Sequence, residues 1–355
     1  MRKFNYLKKI KSLKLPESIT ALISEIYESK GRIDLWGEGQ EAELEKMCEQ
    51  GKILLTKSSN GIEGVYTNDS RLQELTNDNA LPKNKQEQLI QGYKYALEKI
   101  YEQYQKDELT KDFVFDLYDQ VYLYTKNENN SPGHRNANWR IKCNIEPKNK
   151  SLLSERISAA DAEKYLDRLI EGYNRAYQAN VMPLLLIPMV TADLYCFNPF
   201  GEINPQVTRL IMQYMFLKAD FNATRYVPVE RIIEQEKSKI FFYTSLEMTA
   251  KDWQDNKNNY LPFIKYMLMV INQAYKECEN RFKHLAKQKY SVTEKILLAI
   301  KQSIKPVAKK DLQMFFADIS QRTIERALHE LLSNKKIAIS GNGRATKYVL
   351  AEQEK

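Results

Sequence analysis

The sequence predicts a mainly α-helical protein that closes in a smaller domain of three helices and a two-stranded ribbon. Three observations carry that expectation. Glycine and proline are scarce, 12 and 11 among 355 residues, too few for the many tight turns of an all-β chain. Apolar residues recur at helical spacing, as at Leu89, Ile90, Tyr93, Leu97 and Ile100. After Tyr290 the pattern changes, and short capped helices give way to two apolar runs separated by Gly341-Asn342-Gly343.

Taken in order, Pro16 opens a helix in LPESITALISEIYESKG that Gly31 is expected to stop. A second helix, EAELEKMCEQGKILLTKSS, runs toward the Asn60-Gly61 break. Beyond the loop at Leu81-Pro82 a third covers KNKQEQLIQGYKYALEKIYEQY, and an amphipathic fourth spans Asp112 to Tyr124. The polar stretch 126–150, with Asn129-Asn130-Ser131-Pro132-Gly133 ahead of Trp139 and Ile141, reads as a β-hairpin. Helices resume at Ala159 and continue with breaks to about Lys289. Among them Val181 to Val190 is apolar, holds two prolines, is too short to cross a bilayer and reads as a buried helix. Ser291-Val292-Thr293-Glu294 is a capping box that opens a helix with Ile296, Leu297 and Ile300 on one face. Lys309 to Phe316 is a short second helix, and Ser320 caps a third with Ile324, Leu328, Leu331 and Leu332 facing inward. Ile337–Ile339 and Lys347–Leu350 then pair as a hairpin. Three helices and a ribbon make a winged helix-turn-helix. The expected organisation is an N-terminal helical region at 1–105, a core at 106–285 and the winged helix at 290–355.

Composition excludes several function classes. The chain is 43% hydrophobic, enough for a packed core. Cys48, Cys143, Cys196 and Cys278 are far apart and form no CxxC pair, which argues against a zinc ribbon or a disulfide scaffold. Only His134, His284 and His329 are available, so a histidine-cluster mechanism is nearly excluded. The basic N-terminus MRKFNYLKKIKSLKL lacks an apolar export segment, and no span is long enough for a membrane. A cytoplasmic protein with reduced thiols and no membrane partner is expected. The net charge of +8 is unevenly placed. From Arg281 to Lys355 there are 16 Lys and Arg against 7 Asp and Glu, whereas the preceding residues are close to neutral. That segment is expected to meet a polyanion. A merely solvated basic surface is the alternative.

Two segments carry more specific chemistry. Ser58-Ser59-Asn60-Gly61-Ile62-Glu63-Gly64 places Ser59, Glu63 and Gly64 in the spacing Ser/Thr, three residues, Glu, Gly/Asn. Asn198-Pro199-Phe200-Gly201-Glu202-Ile203-Asn204-Pro205-Gln206-Val207-Thr208-Arg209 aligns with H-x-F-x-[D/E]-G-N-G-R-x-x-R. These resemble the inhibitory segment and the signature of Fic-domain proteins. The resemblance also covers the helix at Pro16, residues 84–100, the hairpin and YVPVERIIEQ, most of residues 15–280. It implies a Fic helical fold with a β-hairpin flap, and an activity that transfers AMP from ATP with Mg²⁺ onto protein hydroxyls. It also implies a protein target and a homodimer. In such a site the His is general base, the acid holds Mg²⁺, the Gly-Asn-Gly turn is an anion hole and two arginines grip phosphates. The inhibitory Glu pairs with the second arginine, which here implies a Glu63–Arg209 staple.

Phe200, Glu202, Asn204 and Arg209 match the signature and the rest does not. Asn198 has no basic lone pair near neutral pH, and loss of a general base costs ~10²–10⁴ in rate. Pro205 has no N–H to offer a phosphate, and Ile203 puts a branched side chain where bare backbone should approach. Each missing anion-hole donor is worth ~10²–10³. Gln206 replaces a charged fork with a neutral amide. Glu202 is the one candidate left for a cation, although an acid at a helix start also serves simply as a dipole partner. In the flap the pattern G-x-[Y/F]-R has become Gly133-His134-Arg135, one residue short, and His134 is either a substitute base or an exposed loop histidine. Gly341-Asn342-Gly343-Arg344 spells the lost motif but lies between strands, as a wing turn.

In the basic segment Gln321, Arg322, Thr323 and Arg326 lie near a helix start, on the side away from Ile324 and Leu328. Those side chains suit base edges or phosphates in a major groove. Arg344 and Lys347 on the wing, with Lys309 and Lys310, suit backbone phosphates. The reading is a catalytically silenced Fic-like scaffold joined to a DNA-binding module. The rivals are an active transferase with a substitute base and a protein-interaction adaptor.

Overall fold

Helix caps written in the sequence set several element starts. The computed structural model describes residues 2–38, 40–106, 108–123, 159–289, 291–303, 305–317, 319–341 and 346–351. The region expected to form the flap, with Gly133, His134 and Arg135, lies outside the described residues, as does Arg344. The chain divides into two compact units, Met1–Asn280 and Arg281–Lys355.

The first unit is helical. Its elements are α1 (Tyr6–Ser12), α2 (Glu17–Gly37), α3 (Glu41–Ile62), α4 (Asp69–Thr76), α5 (Lys85–Gln103), α6 (Lys111–Leu123), α7 (Ala159–Gln178) and α8 (Pro183–Phe197). They continue with α9 (Asn204–Lys218), α10 (Ala223–Tyr226), α11 (Val229–Ile233), α12 (Glu236–Ala250) and α13 (Leu261–Lys289), whose residues from Arg281 onward belong to the second unit. Asn5, Asn68 and Asn84 cap α1, α4 and α5 by accepting from backbone N–H groups three residues on. α2 passes through Gly31 rather than ending there. Open space surrounds that glycine, and Ile33 beyond it is still buried, so the apolar face carries the helix on to Gly37. α3 likewise continues through Asn60-Gly61. A Cβ at 61 would stand 2.0 Å from the Glu234 carboxylate oxygen, the far end of a side chain that can swing away, and Gly61 itself lies within the helix rather than at a turn. The chain reverses only at Gly64, whose φ of +75° is left-handed.

α8 is buried from Leu184 to Phe197, as its apolar run predicts. It packs on α9 at the centre of the unit, with α7 and α12 against α8 and with α5 and α6 against α9. α3 touches α5, α9, α10 and α11, which delivers its C-terminal end to α9. No described helix is long and apolar enough to cross a membrane.

The second unit holds α14 (Val292–Gln302), β1 (Val307–Ala308), α15 (Lys309–Phe315), α16 (Gln321–Ser333), β2 (Ile337–Ser340) and β3 (Lys347–Leu350). The Ser291 capping box is formed in full, with Glu294 returning a bond to the Ser291 N–H. Ile296, Leu312, Ile324, Leu328, Leu331 and Ile337 share one core, and Leu332 packs at its edge. β2 pairs antiparallel with β3 in the register Ile337↔Leu350 and Ile339↔Tyr348. The two-residue β1 pairs with the other edge of β3, Val307 opposite Tyr348, giving a three-stranded sheet ordered β1-β3-β2. Two residues are too short a run for periodicity to announce.

Candidate functional site at the start of α9

α8 ends at Asn198, which sits in the left-handed region at φ 46° and ψ 61° and donates its N–H to Leu194 O at 3.1 Å. Asparagine tolerates that conformation better than most residues, so Asn198 acts as a helix terminator. Among the described residues its side-chain Oδ1 is buried without a partner. The turn then passes Phe200, a buried ring stacked on Tyr118 at 5.6 Å, and Gly201 at φ +60°. Asn204 ties the turn down. Its Oδ1 accepts from the Phe200 N–H at 3.3 Å, and its Nδ2 donates to Leu194 O at 3.2 Å. Pro205 lies in the first turn of α9, where the missing N–H breaks no intrahelical bond. Glu202 points outward, 3.8 Å from Lys85. Ile203 and Gln206 are buried, and among the described residues Gln206 Oε1 has no partner.

One turn further, Arg209 is wholly buried and nearly saturated. Nε donates to Ser59 Oγ at 2.8 Å and Nη2 to Ser59 O at 2.7 Å. Nη1 donates to Glu63 Oε1 at 2.8 Å and to Tyr195 OH at 2.9 Å. These bonds use four of the five guanidinium donors. Burial opposes the Arg209 charge, yet Tyr195, Glu63, Tyr243 and Tyr93 overcome that opposition and raise its pKa. The structure thus brings Ser59, Glu63 and Arg209 together, with Gly64 making the turn behind them. Tyr243 also donates to Glu63 Oε1 at 3.2 Å, and the Lys239 ammonium donates to the Ile62 carbonyl at the end of α3.

Sequence reasoning missed Tyr195, Tyr243 and Lys239, because long-range partners on α8 and α12 leave no local pattern. It also missed Glu230 on α11. This acid is fully buried, and among the described residues neither carboxylate oxygen has a partner on another residue. Burial pushes its pKa up to about 7, against partial offsets from its own backbone N–H and then from Arg209. An acid inside the apolar run VPVERII was the available signal. Among the described residues no three His, Cys, Asp or Glu side chains stand close enough to hold a metal.

In the second unit α16 presents Gln321, Arg322 and Arg326 to solvent, with Thr323 half-buried beside its Ser320 cap. Lys309 does not stand free, because it pairs with Glu325 at 2.7 Å, and Gln321 also donates to Glu325 at 3.0 Å. Lys310 and Lys347 are exposed.

No family model matches the sequence, and no curated protein matches it. Solved structures do match its fold. A Fic family protein from Desulfovibrio desulfuricans G20 is 16% identical with a TM-score of 0.57, covering 97% of this chain and 98% of its own. A Fic domain containing signaling protein from Bacteroides thetaiotaomicron is 14% identical with a TM-score of 0.55, over 75% of this chain and 99% of its own. Fic-1 (aa134–508) from C. elegans is 14% identical with a TM-score of 0.57, over 75% and 74%. At such identities the likeness concerns the fold, and the chain has the helical fold of these Fic-domain proteins.

Proposed function

We propose that this chain is a catalytically silent Fic-like scaffold, closed by its own Glu63 segment and joined to a C-terminal winged helix that contacts DNA. The carrying observation is the donor inventory at the start of α9. A triphosphate brings acceptors and needs donors. Here Arg209 commits four of its five donors to Ser59, Glu63 and Tyr195, and Asn204 commits one of its two amide hydrogens to Leu194 O. Pro205 has no N–H. Of the buried atoms left without partners there among the described residues, Asn198 Oδ1 and Gln206 Oε1 are themselves acceptors, and the Thr208 hydroxyl is the one donor. Glu202, turned toward Lys85, is the remaining acid for Mg²⁺. These residues do not fit ATP. A protein partner or homodimer for the scaffold follows from the resemblance alone.

The test is transfer of labelled AMP from ATP by the wild-type protein and by Glu63→Gly, with the target or with itself as acceptor. No labelling by either is expected. Strong labelling by either protein supports the rival transferase and overturns the silent reading.

For the second unit, the support for DNA is the exposed Arg322 and Arg326 on the capped end of α16 and the local excess of basic residues. One observation favours an adaptor instead: Met314 and Phe315 on α15 are 74% and 80% exposed, an apolar pair in a basic surface. Duplex binding followed from 50 to 200 mM salt separates the two. A DNA module neutralising about four phosphates loses affinity with a log–log slope near −3 to −4. A flat response favours the adaptor.

A further inference from the structure

The residues before α1 follow a two-residue period rather than a helical one. Arg2, Phe4 and Tyr6 are buried, while Lys3 and Asn5 are exposed. Arg2 enters a closed cage. Its Nη2 donates to Asp193 Oδ1 at 2.8 Å and to Tyr260 OH, its Nη1 donates to the Trp253 carbonyl, and its guanidinium lies 4.1 Å from the Trp253 ring centroid. Asp193 is fully buried and also accepts from Tyr6 OH at 2.8 Å and from Trp253 Nε1 at 2.7 Å. Phe4 fits an aromatic socket of Tyr165, Phe197 and Trp253, with ring centroids 6.0–6.3 Å away. Gly172 on α7 makes room for the arm's backbone, since a Cβ there would stand 2.3 Å from the Phe4 carbonyl oxygen.

These features form a receptor rather than a helix–helix seam. The arm is held by side-chain anchors, with its Lys3 N–H donating to Asn256 Oδ1. The rest of the cage stands on α8 and the 253–260 segment, and its buried carboxylate requires a cation. A flat ring beside that carboxylate selects a planar guanidinium over an ammonium. We propose that this groove is a peptide-binding site for the pattern Arg-x-Phe-x-Tyr. The chain's own N-terminal arm fills it in cis, and the same segment of a second copy can fill it in trans.

The test uses the full chain carrying Arg2→Ala and Phe4→Ala, which empties the groove, and a fluorescent peptide of residues 1–13. Saturable binding to the double variant is expected, with binding to the wild type at least about tenfold weaker because its arm competes. Adding Asp193→Asn, or replacing arginine by lysine in the peptide, is expected to weaken binding by about tenfold or more. A folded double variant that ignores the peptide, or binds it equally well with Asn at 193, overturns the proposal. Should the double variant fail to fold, Arg2→Ala alone is melted with added methylguanidinium or methylammonium in the tens of millimolar. Its midpoint is expected to lie roughly 6–15 °C below the wild type. Methylguanidinium is expected to recover part of that shift and methylammonium none. Equal response to both ions overturns the proposal.

Discussion

Arg2 and Arg209 are both almost wholly buried, both donate to a carboxylate 2.8 Å away, and both touch side chains of α8. Their partners differ. Asp193 is fully buried and surrounded by the donors of Arg2, Tyr6, Trp253 and Tyr260. Glu63 caps the end of α3, keeps about a fifth of its side chain in water, and has Tyr243 as its other described donor. A buried pair is expensive to break because the surviving charge is stranded in a medium that cannot solvate it. A rim carboxylate can instead return to water. The first pair therefore behaves as structure, and the second as a contact that can open while Arg209 keeps Ser59 and Tyr195.

The sharpest test of that contrast is Asp193→Asn. The one remaining oxygen can still accept from Trp253, the new NH2 takes the place of the oxygen that Tyr6 donated to, and Arg2 becomes a buried cation without a counter-charge. The larger unit is expected to lose about 3–5 kcal/mol in urea unfolding at constant slope. A loss below about 1 kcal/mol would show that the cage is wetter than its burial implies, and the contrast would collapse.

Glu230 sharpens the comparison from the other side, because it lies in the field of Arg209 without a hydrogen bond to it. Its folded pKa is near 7 and its unfolded value is the ordinary one near 4.5. The native state therefore holds the proton more tightly, and stability falls as pH rises from about 4.5 through 7, by on the order of 3 kcal/mol. Tyr93 and Tyr101 on α5, Tyr195 on α8 and Arg209 on α9 share its electrostatic surroundings. Glu230→Gln removes the titration. The variant is expected to match the wild type at pH 5 and to exceed it by about 2–3 kcal/mol at pH 8. Parallel pH profiles for the two proteins would mean that Arg209 already neutralises this acid.

Much of the fold was legible in residues whose meaning is local. Ser291 and Ser320 announce helix starts because a cap acts on an N–H three residues away, and the apolar run before Val190 announces a buried helix because nothing else can cover it. Gly31 and Gly61 misled, since glycine alone does not end a helix: α2 runs on to Gly37, and after α3 the left-handed residue is Gly64. The N-terminal arm was invisible for a different reason. MRKFNY is basic and short, and its alternation matters only against Asp193, Trp253 and Gly172, which are 170–250 residues away in sequence. At the site, Ser59, Glu63 and Arg209 could be named because a spaced motif survives in both segments. Glu230 and Tyr195 could not, because a partner that arrives through packing leaves no spacing to read.

Glu63→Gln carries the smallest expected effect and the one most specific to the contrast. The amide oxygen can still accept from Arg209 Nη1, so geometry is kept while the charge is lost. Arg209 retains both bonds to Ser59 and the one to Tyr195, and the altered side chain reaches water. The expected cost is about 1 kcal/mol, several-fold below that of Asp193→Asn. Backbone amides of residues 60–64 are expected to exchange faster while those of α8 hold their rates, because local opening at a helix end needs no rearrangement of the core. If the two substitutions cost the same, or if exchange quickens along α8 as well, Glu63 is as deeply committed as Asp193. The closing segment would then be part of the core rather than a contact resting on it.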